Sequence, residues 1–255
     1  MNARMDPALL HDSESLRISR REGEAARHIV SFTGISFGLG GLHYEEWGKS
    51  LSGRCPTATY VTDKERSWYN ATREAVIARL RAYIPDAAES FTLGNSMGGF
   101  GALYFAGLLP GCRRAIAFAP QFSIHPDHMP PDEHRWAEYR GRITAHRVTH
   151  ALEHARPKVE YVAFFGSADS EQEHAARLAA AGTARTHVFV VDGSAHEVAL
   201  DLKRAGVLPA LLDLLLASAP LAPGAVLAVL RRAGIAARLE QSSGSASFRA
   251  AASQR

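Results

Sequence analysis

The feature that most constrains this 255-residue chain is a short glycine-rich turn between a strand and a helix. The run 91–101 reads Phe-Thr-Leu-Gly-Asn-Ser-Met-Gly-Gly-Phe-Gly, and a helical pattern follows it at once. A strand that reverses directly into a helix strains its apex residue and pushes that side chain outward, while the positions two before and two after have no room for a Cβ. Ser96, flanked by Gly94 and Gly98, is therefore a candidate nucleophile.

The backbone around this turn favours an anionic ligand. Met97 is the first residue of the predicted helix, so its N–H group points out of the helix N-terminus. A second glycine-rich loop, 34–41, follows a mostly apolar predicted strand at 28–33. Its glycine spacing does not match a dinucleotide-binding fingerprint, which would also require a helix to begin there.

Predicted strands and helices alternate along the chain. Further strands are predicted at 16–20, 57–62, 115–122, 159–165 and 187–191, with helices at 70–83, 171–181 and 201–217 between or after them. Alternation of this kind predicts an α/β fold with a mostly parallel sheet and helices on both faces. At 27.6 kDa the chain is expected to form one domain.

An insert interrupts the alternation after the strand that ends near Phe122. Residues 123–157 carry four prolines and six histidines and are expected to form a helical insert or lid at the carboxyl end of the sheet. His146, His150 and His154 follow a helical spacing, but no carboxylate or cysteine is spaced to complete a metal site. A solvated helix face is the favoured interpretation, and no metal is predicted.

A serine nucleophile needs a base, and that base needs an acid to orient it. On a parallel sheet these groups come from loops at the carboxyl ends of the strands. Ser96, Asp169 and His196 each follow a predicted strand, in that order. Asp192, after the last strand, and Asp63, after an earlier one, remain alternatives for the acid.

From about residue 15 to 217 the chain resembles the α/β-hydrolase superfamily, in which nucleophile, acid and histidine occur in this order. Two differences leave the subfamily open: Thr33-Gly34 replaces the His-Gly common before the oxyanion residue, and no counterpart of the family's first strand is predicted. The matching segments are Phe32–Ile35, Gly94–Gly98, Gly166–Asp169 and Gly193–His196.

The resemblance implies a role for each matching residue. Ser96 corresponds to the nucleophile, His196 to the general base and Asp169 to the acid. Met97 and Ile35 would supply the oxyanion-hole N–H groups, with Gly34 or Ser36 as alternatives to Ile35. The expected reaction is acyl transfer from an ester to water through an acyl-enzyme, without a cofactor.

The leading functional hypothesis is a serine esterase acting on a small or carbohydrate-borne ester. Aromatic and polar residues near the strand ends offer surfaces for a sugar. An acyltransferase or thioesterase with the same triad, and a non-catalytic binding module on a hydrolase fold, are the alternatives. The residues considered for sugar contact are Trp47, Trp68, Tyr69, Asn70 and Trp136.

The two ends of the chain are expected to lie outside the main domain. Residues 1–14 are predicted to be a mobile lead, 218–240 a C-terminal helical segment, and 241–255 a disordered basic tail. The helix, at about 224–239, would pack on the body or on a protein partner. The apolar stretch 207–230 contains prolines and an aspartate that argue against a membrane span.

Charge and cysteine content restrict partners and location. Of the net charge of +3, residues 223–255 carry +4, so the rest of the chain sums to −1 and gives no support to nucleic-acid binding. Cys55 and Cys112 have no metal spacing and are expected to be free thiols in a reducing compartment. With no secretory signal visible at the N-terminus, a cytoplasmic location is predicted.

Overall fold

A single sheet organises the molecule. The computed structural model describes residues 7–23, 27–35, 44–51, 57–85 and 88–240, and Cys55 lies outside these ranges. The strands of the described residues are β1 (Ala8–Asp12), β2 (Leu16–Arg21), β3 (Arg27–Phe32), β4 (Thr57–Asp63), β5 (Glu89–Asn95), β6 (Cys112–Phe118), β7 (Glu160–Gly166), β8 (Thr186–Val191) and β9 (Ala237–Glu240).

The sheet is parallel in its centre and antiparallel at both edges. Its nine described strands lie in the order β1-β2-β4-β3-β5-β6-β7-β8-β9. In this spatial order, every pair of neighbours in the run β4-β3-β5-β6-β7-β8 is parallel. The pairs β1 with β2, β2 with β4, and β8 with β9 are antiparallel. The carboxyl ends of β3, β5, β7 and β8 therefore meet at one edge, where α/β proteins bind ligands.

Helices cover both faces of the sheet. Two buried apolar clusters lie on opposite faces, one involving α2, α3 and α5 and the other involving α6, α7 and α8. None of the described helices combines the length and apolar character needed to span a bilayer. The helices are α1 (Gly48–Leu51), α2 (Arg73–Tyr83), α3 (Met97–Ala106), α4 (Ala137–Arg140), α5 (Asp169–Ala181), α6 (Val198–Arg204), α7 (Leu208–Leu215) and α8 (Pro223–Arg232).

The ends of the chain differ from expectation. Residues 8–12, predicted to belong to a mobile lead, form β1 and pair with β2, so a strand does precede the one predicted at 16–20. The C-terminal helix ends at Arg232 rather than near 239, and the chain continues as β9 along β8. Short antiparallel edge strands were missed because neither has a long apolar run of its own.

The C-terminal helix packs on its own chain. Val226 and Leu230 on its buried side join the second apolar cluster. The role of this helix in binding a protein partner remains a prediction, as do the expected domain boundaries, and the tail 241–255 lies outside the described residues.

The insert between β6 and β7 is largely irregular. Its described elements are the four-residue helix α4 and turns, where a more helical segment was expected. Residues 146–154 do not form a helix, so their three histidines do not share a helix face. The His150 ring instead stacks on Phe122, and the His154 ring contacts Tyr104.

A buried arginine fastens the segment after α7 to the sheet. Arg114 is fully buried, and its Nε donates to Glu160 Oε2 at 2.8 Å. Its guanidinium also donates to the carbonyls of Ala217 at 3.0 Å and Ala219 at 2.8 Å. Burial opposes ionisation of Glu160, but the Leu221 N–H and the Arg114 guanidinium hold its pKa below the usual range. Arg114 and Glu160 thus supply hydrogen-bond partners to backbone groups that would otherwise be buried without one.

We expect Arg114→Met to lower the free energy of unfolding by about 3–5 kcal/mol, because it leaves Glu160 Oε2 and two backbone carbonyls buried without their donor. Urea denaturation measures the loss. Arg113→Met is the matched control: Arg113 pairs with Glu89 at 3.5 Å with both side chains about one-third exposed, so its loss should stay below about 1 kcal/mol. Equal losses in the two variants would contradict the assignment.

Candidate active site

The turn between β5 and α3 holds Ser96 in a strained conformation. Its φ is 56° and its ψ −126°, and its N–H donates to the Phe118 carbonyl at 2.8 Å. A Cβ on Gly94 would lie 2.1 Å from the Gly98 carbonyl oxygen, and a Cβ on Gly98 would lie 2.1 Å from the Phe32 carbonyl oxygen. Both positions therefore require glycine, as the sequence pattern predicts.

A hydrogen-bonded series begins at this serine. His196 Nε2 lies 2.9 Å from Ser96 Oγ, and His196 Nδ1 lies 3.1 Å from Glu171 Oε1. With its proton on Nδ1, the imidazole donates to the carboxylate and accepts from the serine hydroxyl. Three side chains that are distant in the sequence thus form an alcohol–imidazole–carboxylate arrangement.

Close packing between two loops positions the histidine. The loop after β8 carries Gly193 with a φ of 75° and His196 three residues later. A Cβ on Gly166, at the end of β7, would lie 2.3 Å from the Ala195 carbonyl oxygen. The Gly193 N–H also donates to Ser167 Oγ at 2.9 Å. The two glycine-containing segments singled out in the sequence are therefore in direct contact.

The carboxylate beside His196 is not the predicted one. Asp169 is the exposed first residue of α5, and its Oδ1 accepts a hydrogen bond from Gln172 Nε2 at 3.2 Å. Glu171 is 1% exposed and faces the imidazole. Residues two positions apart on a helix are rotated by about 200° around its axis, so the carboxylates of Asp169 and Glu171 point to opposite sides. The predicted contact between Asp169 and His196 is absent, because α5 begins at Asp169 and turns Glu171 toward the imidazole instead.

The sequence contains a signal for Glu171 that the strand-end argument overlooked. The buried residues of α5 are Glu171, His174, Ala175 and Leu178, which follow the i, i+3, i+4, i+7 pattern of a core-facing helix. A carboxylate at the first position of an otherwise buried face must have a partner. The helical phase of α5, rather than nearness to the end of β7, therefore identifies Glu171 as the buried carboxylate.

The Glu171 carboxylate is kept ionised by its neighbours. Burial alone would raise its pKa, but hydrogen bonds and charge from His196 and Arg135 hold that pKa below the usual range. A negative charge next to Nδ1 stabilises the positive charge that the imidazole acquires on accepting a proton.

The two alternative acids lie elsewhere. Asp192 is exposed and pairs with Arg238 at 3.1 Å across β8 and β9. Asp63 is fully buried and accepts hydrogen bonds from the backbone N–H groups of Glu65, Ser67 and Tyr69. Asp63 thus anchors the loop after β4, and burial raises its pKa.

The predicted oxyanion residues flank the turn. Met97 is the first residue of α3, where N–H groups have no partner within the helix. A Cβ on Gly34 would lie 2.9 Å from the Asn95 carbonyl oxygen, so the chain before Ile35 passes close to the elbow. The Gly34 N–H is already engaged, since it donates to Glu46 Oε2 at 2.6 Å.

Two features around the expected oxyanion hole bear on the remaining alternatives. Burial raises the pKa of Glu46, the partner of Gly34, to about 7. Ser36, the other alternative donor, lies outside the described residues. Ile35 therefore remains the predicted second donor.

The insert contributes residues that the sequence analysis missed. Arg135 forms an ion pair with Glu171, and its guanidinium also pairs with Glu133 at 2.5 Å. His174 Nδ1 accepts from the Phe122 N–H at 3.0 Å, which leaves Nε2 to donate to Glu133 Oε2 at 3.0 Å. These interactions attach the insert to α5, and the sequence carries no spacing rule that would reveal them.

Only some of the predicted sugar-contacting residues lie near the reacting groups. Trp68, Tyr69 and Asn70 are buried at 0–1% exposure and belong to the interior, which corrects their assignment to a sugar surface. Trp47 is half-buried and stacks on Phe118. Trp136, also half-buried, packs on the His196 ring with centroids 4.9 Å apart, so it remains the candidate wall of a substrate site.

Within the described ranges, no group of three or more histidine, cysteine or carboxylate side chains is arranged to hold a metal ion. His125 contacts the rings of His128 and His146 at centroid distances of 5.3 and 5.2 Å without forming such a site.

Comparison with known proteins identifies relatives by structure alone. No protein-family model matches the sequence, and no curated protein matches it. The capsule O-acetyltransferase of Neisseria meningitidis serogroup A is 14% identical, with a TM-score of 0.55 over 78% of this chain and 92% of that chain. A second structure of that enzyme, in complex with CoA, is 12% identical over 78% of this chain and 93% of that one, with a TM-score of 0.52.

A hydrolase gives a similar match. The 2,6-dihydroxy-pseudo-oxynicotine hydrolase is 19% identical, with a TM-score of 0.53 over 86% of this chain and 70% of that chain. At these identities the likeness concerns the fold. Together with the sheet order, it confirms the expected α/β-hydrolase fold.

We expect the Glu133 carboxylate to make stability depend on acid pH. Burial would raise its pKa, but His174 and Arg135 hold that pKa at about 2, against an ordinary value of 4.5. A depressed folded-state pKa gives stability that is present above about pH 4.5 and is lost as pH falls toward about 2. Between about pH 6 and pH 3, Glu133→Gln should lose less unfolding free energy than the wild type, by on the order of 1–3 kcal/mol.

Urea midpoints at the two pH values measure this difference. Glu138→Gln is the control, because Glu138 pairs with Arg142 with both side chains more than 60% exposed. Its pH dependence should match the wild type. If the unfolding free energy of Glu133→Gln depended on pH as strongly as that of the wild type, the prediction would be contradicted.

Proposed function

We propose that this chain is a serine hydrolase that cleaves carboxylic esters through an acyl-enzyme, with Ser96 as nucleophile, His196 as general base and Glu171 as acid. The observation that carries the proposal is the continuous series from Ser96 Oγ to His196 Nε2 at 2.9 Å and from His196 Nδ1 to Glu171 at 3.1 Å. Both distances are within the range for hydrogen bonds that transfer or orient a proton.

Each group has a defined task in the proposed mechanism. Ser96 Oγ attacks the ester carbonyl while its proton passes to His196 Nε2, and the imidazolium then protonates the leaving alcohol. Glu171 holds the ring and balances its charge. His196 next removes a proton from water, which attacks the acyl-enzyme. The imidazolium then returns that proton to Ser96 Oγ as the acyl–oxygen bond breaks and the carboxylic acid is released.

The oxyanion of each tetrahedral intermediate needs fixed donors. We assign this role to the N–H groups of Met97 and Ile35. The close passage of residues 32–34 over the elbow, directly before Ile35, supports this assignment, and so does the engagement of the Gly34 N–H by Glu46. Preorganised backbone donors of this kind stabilise the transition state without reorganising.

A small or carbohydrate-borne ester is the proposed substrate class. Ser96 is 6% exposed, which favours a narrow approach to its hydroxyl. The Trp136 indole lies against His196 and offers an apolar face on which a sugar ring or a short acyl chain can rest.

Transfer of the acyl group to an alcohol other than water is the second candidate. It is favoured by the structural likeness to a capsule O-acetyltransferase, which extends over 92% of that chain. The same triad serves both reactions, because the difference lies in which hydroxyl group reaches the acyl-enzyme.

We expect the wild-type protein to hydrolyse short-chain aryl esters and to react covalently with a fluorophosphonate probe at Ser96. Ser96→Ala removes the nucleophile and should abolish labelling and reduce kcat by at least about 10⁴-fold. Intact-protein mass spectrometry and esterase assays measure the two effects. Labelling that survives in Ser96→Ala would refute the assignment.

The same assay separates hydrolysis from transfer. Polyols or polysaccharides are added as acceptors, and the acylated products are compared with the free acid. Free acid as the main product at saturating acceptor supports the hydrolase, and an acylated acceptor as the main product supports the transferase.

We expect Glu171→Gln to reduce kcat by about 10³–10⁴-fold, because an amide neither balances the imidazolium charge nor selects the Nδ1–H tautomer. Asp169→Asn, two residues away and exposed, should stay within about twofold of the wild type. Steady-state kinetics on both variants measure the contrast. A larger loss in Asp169→Asn than in Glu171→Gln would identify Asp169 as the acid.

A further inference from the structure

We propose that Arg135, supplied by the insert, is a positioning residue that holds the Glu171 carboxylate in line with His196 and makes triad assembly depend on docking of the insert. The inference rests on the proposed function, since it concerns the same three side chains. It adds a fourth side chain, from a different part of the fold, to the group that sets the geometry of the site.

The first support is the position of the guanidinium. Arg135 Nη1 donates to Glu171 Oε1, the same oxygen that lies 3.1 Å from His196 Nδ1. Its Nη1 is 3.5 Å from His196 Nδ1, and its Nη2 donates to the Ser170 carbonyl at 3.0 Å. The arginine therefore contacts the acid, the backbone next to the acid and the edge of the imidazole.

The second support is the way the arginine is itself held. Its Nε lies 3.0 Å from each oxygen of Glu133, and its backbone N–H donates to Glu133 Oε1 at 2.8 Å. Glu133 is in turn bound by His174 of α5. The guanidinium is thus fixed between two carboxylates, in the planar arrangement for which arginine is better suited than lysine.

A free glutamate side chain has several rotamers, and holding one of them costs conformational entropy. Since the Arg135–Glu171 ion pair is part of the folded chain, this cost is met on folding rather than during the reaction. A carboxylate tied only to His196 would be free to turn away whenever the imidazole moves toward the serine or the leaving group.

The third support is the residue that follows Arg135. Trp136 has a φ of 55°, a left-handed conformation that is costly for a tryptophan. That conformation places its ring 4.9 Å from the His196 ring, and the Arg135 guanidinium lies 4.7 Å above the same indole. Adjacent residues of the insert therefore contact the acid and the base of the triad.

The guanidinium charge gives this role a measurable consequence. The charged or titratable groups around the His196–Glu171 pair are Arg135, Glu133 and His174. When the pair takes up a proton, its net negative charge is lost, and with it the attraction to the guanidinium. The arginine therefore opposes protonation of the pair, and its removal should make protonation occur at higher pH.

The test compares Arg135→Gln and Arg135→Lys with the wild type and with Arg142→Gln. Arg142 lies in the same insert and is 62% exposed, and its guanidinium contacts Glu138 and the Tyr139 ring, so its variant should behave as the wild type. For Arg135→Gln we expect kcat to fall on the order of tenfold or more with KM within about twofold, because the site is misaligned rather than its binding surface removed. The acid limb of the kcat/KM profile should move up by at least about half a pH unit.

Arg135→Lys retains the positive charge but lacks the planar guanidinium that binds two carboxylates at once. Its acid limb should stay at the wild-type pH, while its kcat falls between those of the wild type and Arg135→Gln. A wild-type acid limb in a folded Arg135→Gln protein would overturn the proposal, because loss of a merely structural contact lowers activity without moving that limb. Should Arg135→Gln fail to fold, an unaltered kcat in Arg135→Lys would overturn it equally.

A second readout does not depend on ester hydrolysis. The NMR signal of the His196 ring, identified by its absence in His196→Asn, is titrated in the wild type and in Arg135→Gln. The titration midpoint should move to higher pH in the variant. If the wild type neither hydrolyses esters nor reacts with a fluorophosphonate, the proposed function fails, whereas this titration still decides whether Arg135 acts on the pair.

Discussion

The site depends on a close crossing of two backbones that only glycine permits. The carbonyl oxygen of Phe32, at the end of β3, lies where a side chain on Gly98 would begin, and the first turn of α3 lies where a side chain on Gly94 would begin. This contact fixes the angle at which β5 turns into α3, and that angle sets the direction of the Ser96 hydroxyl. The strain at Ser96 is balanced by strands on both sides of β5.

The remaining groups differ in how rigidly they are held. The histidine loop packs against the end of β7 through a glycine contact, so the central sheet determines its position. The carboxylate beside the histidine, Glu171, lies on α5 and is bound by an arginine from the irregular insert. Burial of Glu171 strengthens its interaction with the imidazole, and the arginine offsets the cost of keeping that charge away from water.

The sequence predicted the groups that local backbone rules determine. The elbow serine, the histidine after the last parallel strand and the alternation of strands and helices all follow from glycine placement and apolar periodicity. Glu171 was missed because its orientation depends on the helical phase of α5, which begins at Asp169, two residues before the predicted start. Glu171, not Asp169, occupies the buried face.

Other features were beyond sequence reasoning for a different physical reason. The edge strands β1 and β9 gain their stability from pairing with β2 and β8, so their own residues carry little pattern. Arg135 and Glu133 meet α5 across the fold, and the insert that carries them has almost no regular structure. Long-range ion pairs of this kind leave no periodic trace in one sequence.

Placing the proposed acid on a helix rather than on a loop links the geometry of the site to packing at a distance. Leu178 lies seven residues beyond Glu171 on the same buried face, about 10 Å along the helix axis. A rigid helix transmits small rotations over that length, so a poorly fitting side chain at its far end would turn the carboxylate away from the ring. For the mechanism proposed above, substitutions deep in the interior would then lower turnover first, and α5 would offer protein engineers a way to tune rate without altering any residue that touches a substrate.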